Sequence, residues 1–74
     1  METYKNCPIY TFAVLALASG WYAHGTVFDP GTKMLTELQR LECIDTIFLK
    51  KEEAEAHALM LCKSWIDQYW KDLS

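Results

Sequence analysis

The sequence has little of what would mark a catalytic or metal-binding protein. Its three cysteines are an odd number with no CxxC pair, so neither a disulfide framework nor a four-thiolate zinc site is indicated. Its three glycines form no phosphate-binding loop, and no HExxH or GxSxG pattern occurs. A chain of 74 residues also has little room for a pocket of about 300 Å³ or more. We therefore expect no enzymatic activity, no metal and no cofactor.

Basic residues are few as well. Seven Lys and Arg stand against ten Asp and Glu, a formal charge of -3, so the basic footprint of a nucleic-acid-binding protein is missing. Residues 6–23 carry no charge, but Pro8 and Gly20 interrupt this run and make it a poor membrane span. Ala16-Leu17-Ala18 has the small-x-small spacing of a signal-peptidase site, yet the preceding residues have no net positive charge. We expect a cytoplasmic protein in a reducing compartment that binds neither nucleic acid nor membrane.

Apolar and aromatic residues are what the chain has in quantity. It is 51% hydrophobic and includes three Trp, four Tyr and three Phe. Residues 1–74 make one domain, and a domain this small buries only about 60% of the surface that its unfolded chain exposes. Since disulfides and metals are not indicated, an unusually apolar core or oligomerisation must supply the missing stability. A homodimer is one expected solution.

The segment 50–73 has the clearest periodicity and predicts a long amphipathic helix. At 100° per residue, one stripe of it is apolar and the other side is charged. Glu52 and Glu53 place negative charge at the positive end of the helix dipole, although Lys50 stands where a polar cap is usual; the cap could also lie further back, at Asp45 or Thr46. The stripe predicted to cover the core consists of Ala54, Ala58, Leu61, Cys62, Trp65 and Tyr69.

Two strands are predicted in the first half of the chain. Residues 3–17 are rich in aromatic and β-branched side chains, and both alternating faces are apolar from Ile9 onward, as in a strand covered by the helix on one side and by something else on the other. Residues 21–28 follow after a short connection, which indicates an antiparallel hairpin. Asp29-Pro30-Gly31 then supplies strong turn chemistry.

The segment 33–48 fits two templates. Met34, Leu38 and Leu41 recur at helical spacing, whereas Ile44, Ile47 and their neighbours favour a strand. Two strands and one helix are marginal without a third strand. We therefore predict a third strand or a strand pair here, with a short helix as the alternative.

A second apolar row lies beside the core stripe of the predicted helix. The two rows together span roughly 180°, against about 100° for an ordinary surface helix. A small sheet can hardly cover all of it, so we predict a protein-binding surface. Its candidate residues are the second row and the neighbouring aromatics of the second strand: Leu59, Ile66, Trp70, Leu73, Trp21 and Tyr22.

Parts of the sequence resemble a group of small uncharacterised proteobacterial proteins with a strand-strand-strand-helix plan. The resemblance lies in the helix sequence from Lys51 to Leu59, in the Trp65-Ile66-Asp67 motif, and in Gly20-Trp21-Tyr22-Ala23. It implies an α+β fold and a bacterial or prophage origin, and it favours a strand for the middle segment. It implies no activity.

The cysteines and histidines support an alternative function. Glu53 and His57 lie one turn apart on the predicted helix, and a small metal-binding or redox protein could use the residues Cys7, Cys43, Cys62, His24 and His57. Such residues more often have no function of this kind. Glu53 and His57 would then form a solvated pair, His24 would be a half-buried polar residue, and Cys62 would be a buried, inert thiol.

The sequence thus predicts an α+β fold, a three-stranded or four-stranded antiparallel sheet covered by one long C-terminal helix. The predicted function is non-enzymatic protein binding, as a homodimer or as an inhibitor or adaptor of a host protein complex. Anti-CRISPR proteins are comparable only in size and acidity.

Overall fold

The chain folds into an antiparallel meander followed by one helix. The computed structural model describes residues 2–17, 19–31 and 36–73, without the side chains of residues 72 and 73. Its elements are β1 (Glu2–Tyr4), β2 (Cys7–Leu15), β3 (Trp21–Phe28), β4 (Glu37–Phe48) and α1 (Lys51–Leu73). Each strand pairs with the next, so the sheet order is β1-β2-β3-β4. The predicted α+β fold is confirmed, and its four-stranded form is the one observed.

The predicted first strand, residues 3–17, is two strands joined by a tight turn. Lys5 and Asn6 both have positive φ angles, 49° and 70°, and Tyr4 pairs with Cys7 across them. Two central residues with positive φ define the type I′ turn, whose twist matches that of the flanking strands. Asn6 tolerates this conformation, whereas lysine is uncommon in it. Asn6-Cys7-Pro8 is also the segment where the sequence predicts a bend or an edge position.

The middle segment is a strand, as predicted, and it forms one strand rather than a pair. β4 pairs with β3 along its length, with register shifts near both ends of β3. The larger shift lies between Ala23, which pairs with Cys43, and Trp21, which pairs with Phe48. Residues 33–35 of the predicted segment lie outside the described residues.

The helix begins one residue later than predicted. The N–H of Ala54 donates to the carbonyl of Lys50 at 3.2 Å, which places the start of α1 at Lys51. Asp45 and Thr46 belong to β4, so the alternative caps further back are wrong. The first turn relies on Glu52 and its neighbour to complement the helix dipole.

The core lies between α1 and one face of the sheet, in two clusters. The larger contains five fully buried side chains: Cys7, Ile9, Val27, Cys62 and Ile66. The smaller brings Ala54 and Ala58 of the helix against Ala23 of β3. Because these side chains are small, the helix approaches β3 closely. The contact is close at Gly25, where an added Cβ would lie 2.5 Å from Sγ of Cys62.

The predicted core stripe of the helix is partly wrong. Its alanines and Cys62 are buried, but Leu61, Trp65 and Tyr69 are only partly so. Ile66 takes the central position instead. The buried face of α1 is therefore rotated, relative to the predicted core stripe, toward the second apolar row that contains Ile66.

Candidate functional site

The second apolar row of the helix is largely used within the fold. Ile66, predicted to contact a partner, has no exposed surface and belongs to the larger core cluster. Leu59 is half-buried and packs against the same cluster. The prediction that this row stays exposed is therefore wrong for Ile66. The reason is the width of the sheet, since the β1 hairpin and the long β4 cover more of the helix than three strands were expected to cover.

Trp70 is the most exposed described member of that row, at 36%, and it too has a role inside the subunit. Its indole N–H donates a hydrogen bond to the thiol of Cys7. Its ring packs edge-on against Tyr69, which in turn stacks on Trp65 with centroids 5.0 Å apart. Leu73 ends α1, and its side chain lies outside the described residues. These aromatics close the C-terminal end of the core.

Trp21 and Tyr22, the two strand residues predicted to bind a partner, lie on opposite faces of the sheet. Trp21 packs against the smaller core cluster beneath the helix, where Nζ of Lys51 lies 6.0 Å from the centroid of its ring. Successive side chains of a strand point to opposite faces, so Tyr22 lies on the face away from the helix. The structure therefore does not join these two residues into one surface.

A polar cluster attaches the β1 hairpin to the helix. The hydroxyl of Tyr4 donates to the carboxylate of Asp67 at 2.9 Å, and Nζ of Lys5 lies 2.7 Å from the same carboxylate. The hydrogen bonds from Lys5 and then Tyr4 hold the pKa of Asp67 below its ordinary value. The bond to Asp67 likewise raises the pKa of Tyr4 and that of Lys5. All three side chains are thereby committed to holding the hairpin against the helix.

The face of the sheet opposite the helix is the large apolar surface that remains. No described element covers it. We call it the aromatic face, and it comprises Tyr10, Phe12, Val14, Tyr22, His24 and Phe28. Tyr10 is 50% and Val14 40% exposed, and the other four are partly buried.

Three rings of the aromatic face pack against each other. Phe12 of β2 stacks on His24 of β3, with centroids 5.1 Å apart and planes inclined by 18°. Tyr10, two residues before Phe12 on the same strand, tilts against it at 5.9 Å. Cross-strand pairs such as Phe12 with His24 stabilise a sheet by about 0.2–1 kcal/mol each. These three side chains therefore form one contiguous surface.

Charged residues border the aromatic face along β4. Nδ1 of His24 lies 3.9 Å from the carboxylate of Glu42, and Arg40 forms an ion pair with Glu37 at 2.9 Å. The opposite border, formed by β2, carries no charge between Tyr10 and Leu15. An apolar centre beside a polar rim is the usual composition of a protein–protein interface.

The candidate metal and redox residues do not form one site, since Cys7 and Cys62 share the larger core cluster while Cys43 packs against the smaller one. His24 is on the aromatic face, whereas His57 packs against the ring of Phe48 at 5.0 Å. Burial raises the pKa of Cys62 to about 11 and also raises that of Cys7, so both thiols resist ionisation. Within residues 2–17, 19–31 and 36–73, no three His, Cys, Asp or Glu side chains gather closely enough to hold a metal ion. Over the same residues there is no helix whose length and apolar character suffice to cross a membrane.

Sequence reasoning missed most of the aromatic face. Only Tyr22 among its members was predicted to bind a partner. The available signal was the apolar character of both faces of β2, which required a second covering besides the helix. The described residues provide no element that covers this second face of β2. The apolar surface left for a partner therefore lies on the sheet, whereas the prediction placed it on the helix.

Comparison with known proteins finds no match, since no protein-family profile, no curated protein and no solved structure is significantly similar to the chain. The geometry of the described residues is therefore what bears on function.

Proposed function

We propose that this chain is a non-enzymatic protein-binding module that docks a partner on its aromatic face. It acts in the cytoplasm as a homodimer or as an inhibitor or adaptor of a host protein complex, in a bacterial or prophage setting that includes inhibitors of the anti-CRISPR kind. The observation that carries the proposal is that α1 covers one face of the sheet, while the contiguous aromatic surface on the other face is covered by no described element.

The composition of this surface suits a protein partner. Its most exposed members are Tyr10 and Val14, at 50% and 40%. Contiguous exposed apolar patches on small proteins mark interaction sites, because water contact with them is unfavourable by about 25 cal/mol per Å².

The chemistry of the surface defines the kind of partner. Aromatic residues supply contact area with few rotatable bonds, and Tyr and His add polar atoms at the edges of the rings. Glu42 and Glu37 border the face on the β4 side, and Arg40 forms an ion pair with Glu37. The expected partner therefore presents an apolar patch and places neutral or basic residues against β4.

The test compares two lysine substitutions on opposite sides of the molecule. Tyr22→Lys introduces a charge at the aromatic face, and Met60→Lys introduces the same charge on α1, where Met60 is 54% exposed. Tagged wild-type and variant proteins are used to capture partners from cell extract. A captured protein is then purified and titrated against all three by calorimetry, after circular dichroism has shown that the variants are folded.

We expect Tyr22→Lys to weaken binding at least about tenfold, as loss of a central aromatic contact does, and Met60→Lys to leave it unchanged. Equal affinity of all three proteins for the purified partner would show that the aromatic face is not the docking surface. Greater loss with Met60→Lys would place the contact on the helix.

A further inference from the structure

One strand edge of the sheet is left open over six residues. β1 pairs only with Cys7–Ile9 of β2, so residues 10–15 have no strand partner on that side among the described residues. Tyr4 and Cys7 flank a two-residue turn and form a hydrogen-bonded pair. Hydrogen-bonded pairs recur at every second residue. The backbone N–H and C=O groups of Thr11, Ala13 and Leu15 therefore point outward along this edge.

The two long edges of the sheet differ in how they are protected. Exposed strand edges pair with other chains unless charge, proline or irregular register prevents it. β4 has these features, since it carries Glu37, Arg40, Glu42 and Asp45 and its register shifts twice. The free part of β2 is Tyr-Thr-Phe-Ala-Val-Leu, without charge, proline or bulge. Six residues are also the length of an average strand.

We propose that a second copy of this chain pairs with this edge, β2 against β2 in antiparallel orientation, about a two-fold axis at Ala13. Thr11 of each copy then lies opposite Leu15 of the other, and the outward N–H and C=O groups of both residues are satisfied. The two sheets become one sheet of eight strands. This dimer uses the edge of the sheet and leaves the aromatic face free for a different protein. It is therefore independent of the inhibitor or adaptor role proposed above, and it replaces a homodimer formed through the aromatic face.

The two ends of the open edge fix this register. On one side β1 occupies the edge as far as Ile9, which pairs with Glu2. On the other side β2 ends at Leu15, because the N–H of Ala16 turns to bond the carbonyl of Gly20. A pairing centred on Ala13 uses the whole free segment, whereas a shift of the axis by one residue toward the N-terminus would bring Leu15 of the second copy against Ile9, where β1 already lies.

The side chains of this register are complementary to themselves. Phe12 lies opposite Val14 of the second copy at a position without hydrogen bonds, where side chains are closest, and an aromatic residue beside a β-branched one is a favourable cross-strand pair. Each copy carries a formal charge of -3, but residues 6–23 have no charge, so like charges do not meet at the contact. A second copy thus matches the edge in length, register and charge.

The first test places a proline on each of the two long edges. Thr11→Pro removes one outward N–H from β2, and the matched control Glu42→Pro removes one from β4, since the adjacent pairs of Glu42 place its N–H on the outer side. Sedimentation equilibrium gives the dissociation constant of each protein. We expect a dimer for the wild type and for Glu42→Pro. For Thr11→Pro we expect a dissociation constant at least about tenfold higher, because two hydrogen bonds are lost per dimer.

The second test reads the register and does not depend on the proline variant folding. Ala13→Cys, in a Cys43→Ser background, places two thiols at the two-fold axis, where hydrogen-bonded Cα atoms lie about 5.5 Å apart, within the range of a disulfide. Mild oxidation is expected to give a covalent dimer. Ser64→Cys, exposed on α1, is the matched control and is expected to remain monomeric in denaturing electrophoresis.

A wild type that sediments as a monomer at its highest attainable concentration would overturn the proposal. So would a folded Thr11→Pro variant with an unchanged dissociation constant, or equal cross-linking of the two cysteine variants. Tyr22→Lys separates this inference from the docking role, since it is expected to lose the partner and keep the dimer. A Tyr22→Lys protein that becomes monomeric would place self-association on the aromatic face instead of the β2 edge.

Discussion

Gly25 allows a close approach between α1 and the sheet, and replacing it gives the sharpest test of the packing. A Cβ added there would lie 2.5 Å from Sγ of Cys62, against 3.5 Å and 3.7 Å from the carbonyl oxygen and Cβ of Ala58. Only the contact with Cys62 is too short. Cys62 is fully buried on a helix, where few rotamers are open to its side chain, so the sulfur cannot easily move away.

The expected magnitude follows from two opposing contributions. Overpacking a core costs about 1–3 kcal/mol, whereas replacing a strand glycine by alanine recovers about 0.5–1 kcal/mol of backbone entropy. Gly25→Ala should therefore lower the free energy of unfolding by about 1–2 kcal/mol. Cys62→Ala alone should cost about 1 kcal/mol, since it removes one buried heavy atom of roughly methylene size. In the double variant the new Cβ occupies the space left by the sulfur, so its loss should be about 1 kcal/mol or less.

Urea unfolding followed by tryptophan fluorescence measures this coupling. The double variant should be more stable than the sum of the single effects predicts by about 1–2 kcal/mol, a difference of several degrees in Tm for a domain of this size. Cys7→Ala is the matched control, because Cys7 is equally buried but is not among the nearest neighbours of a Cβ at Gly25. If the double variant loses as much stability as Gly25→Ala and Cys62→Ala together, the close approach of helix and strand is refuted.

Three further expectations follow from the described contacts. Ile66→Ala should cost about 2–5 kcal/mol in urea unfolding because Ile66 is fully buried, whereas Met60→Ala at an exposed site should cost less than about 0.5 kcal/mol; equal losses would contradict the reassignment of Ile66 to the core. The pKa of Asp67 is lowered in the folded protein, so the contribution of Asp67 to the free energy of unfolding is complete above its ordinary pKa of 3.8 and falls as the pH drops through the lowered pKa. Tyr4→Phe should make the stability depend less steeply on pH in this acidic range, and an unchanged pH dependence would show that the Tyr4 hydroxyl does not lower the pKa. In thiol titration of the folded protein, Cys43 should react first and the two buried thiols only on unfolding, so a second fast thiol would favour the redox alternative.

Local signals in the sequence account for much of the fold. The bounds of β3 agree with the prediction, since Gly20 precedes it and Asp29 with Pro30 follows it, and these residues favour turns for direct stereochemical reasons. The start of α1 agrees to within one residue, because charge and apolar spacing both change near Lys50. Where turn chemistry is explicit, the sequence locates the boundaries.

The elements that escaped prediction have weaker local signals. In the turn between β1 and β2, Asn6 tolerates a left-handed conformation but Lys5 does not favour it, so tertiary contacts between Tyr4, Lys5 and Asp67 help to select the turn. Those contacts join residues more than 60 positions apart. The same four-stranded width then draws Ile66 into the core. Periodicity along one segment contains no information on how wide its cover will be.

The choice of which sheet face the helix covers follows from side-chain size. β2 and β3 are apolar on both faces, so hydrophobicity alone does not select one. In the middle of β3, however, one face presents Ala23 and Gly25, with the larger Trp21 and Val27 on either side, and the other presents Tyr22 and His24. A helix whose contact surface is Ala54 and its small neighbours packs closely against that small centre, because close contact maximises dispersion and burial. The face with the bulky centre is the one that no described element covers, and it is the face on which we propose that a partner docks.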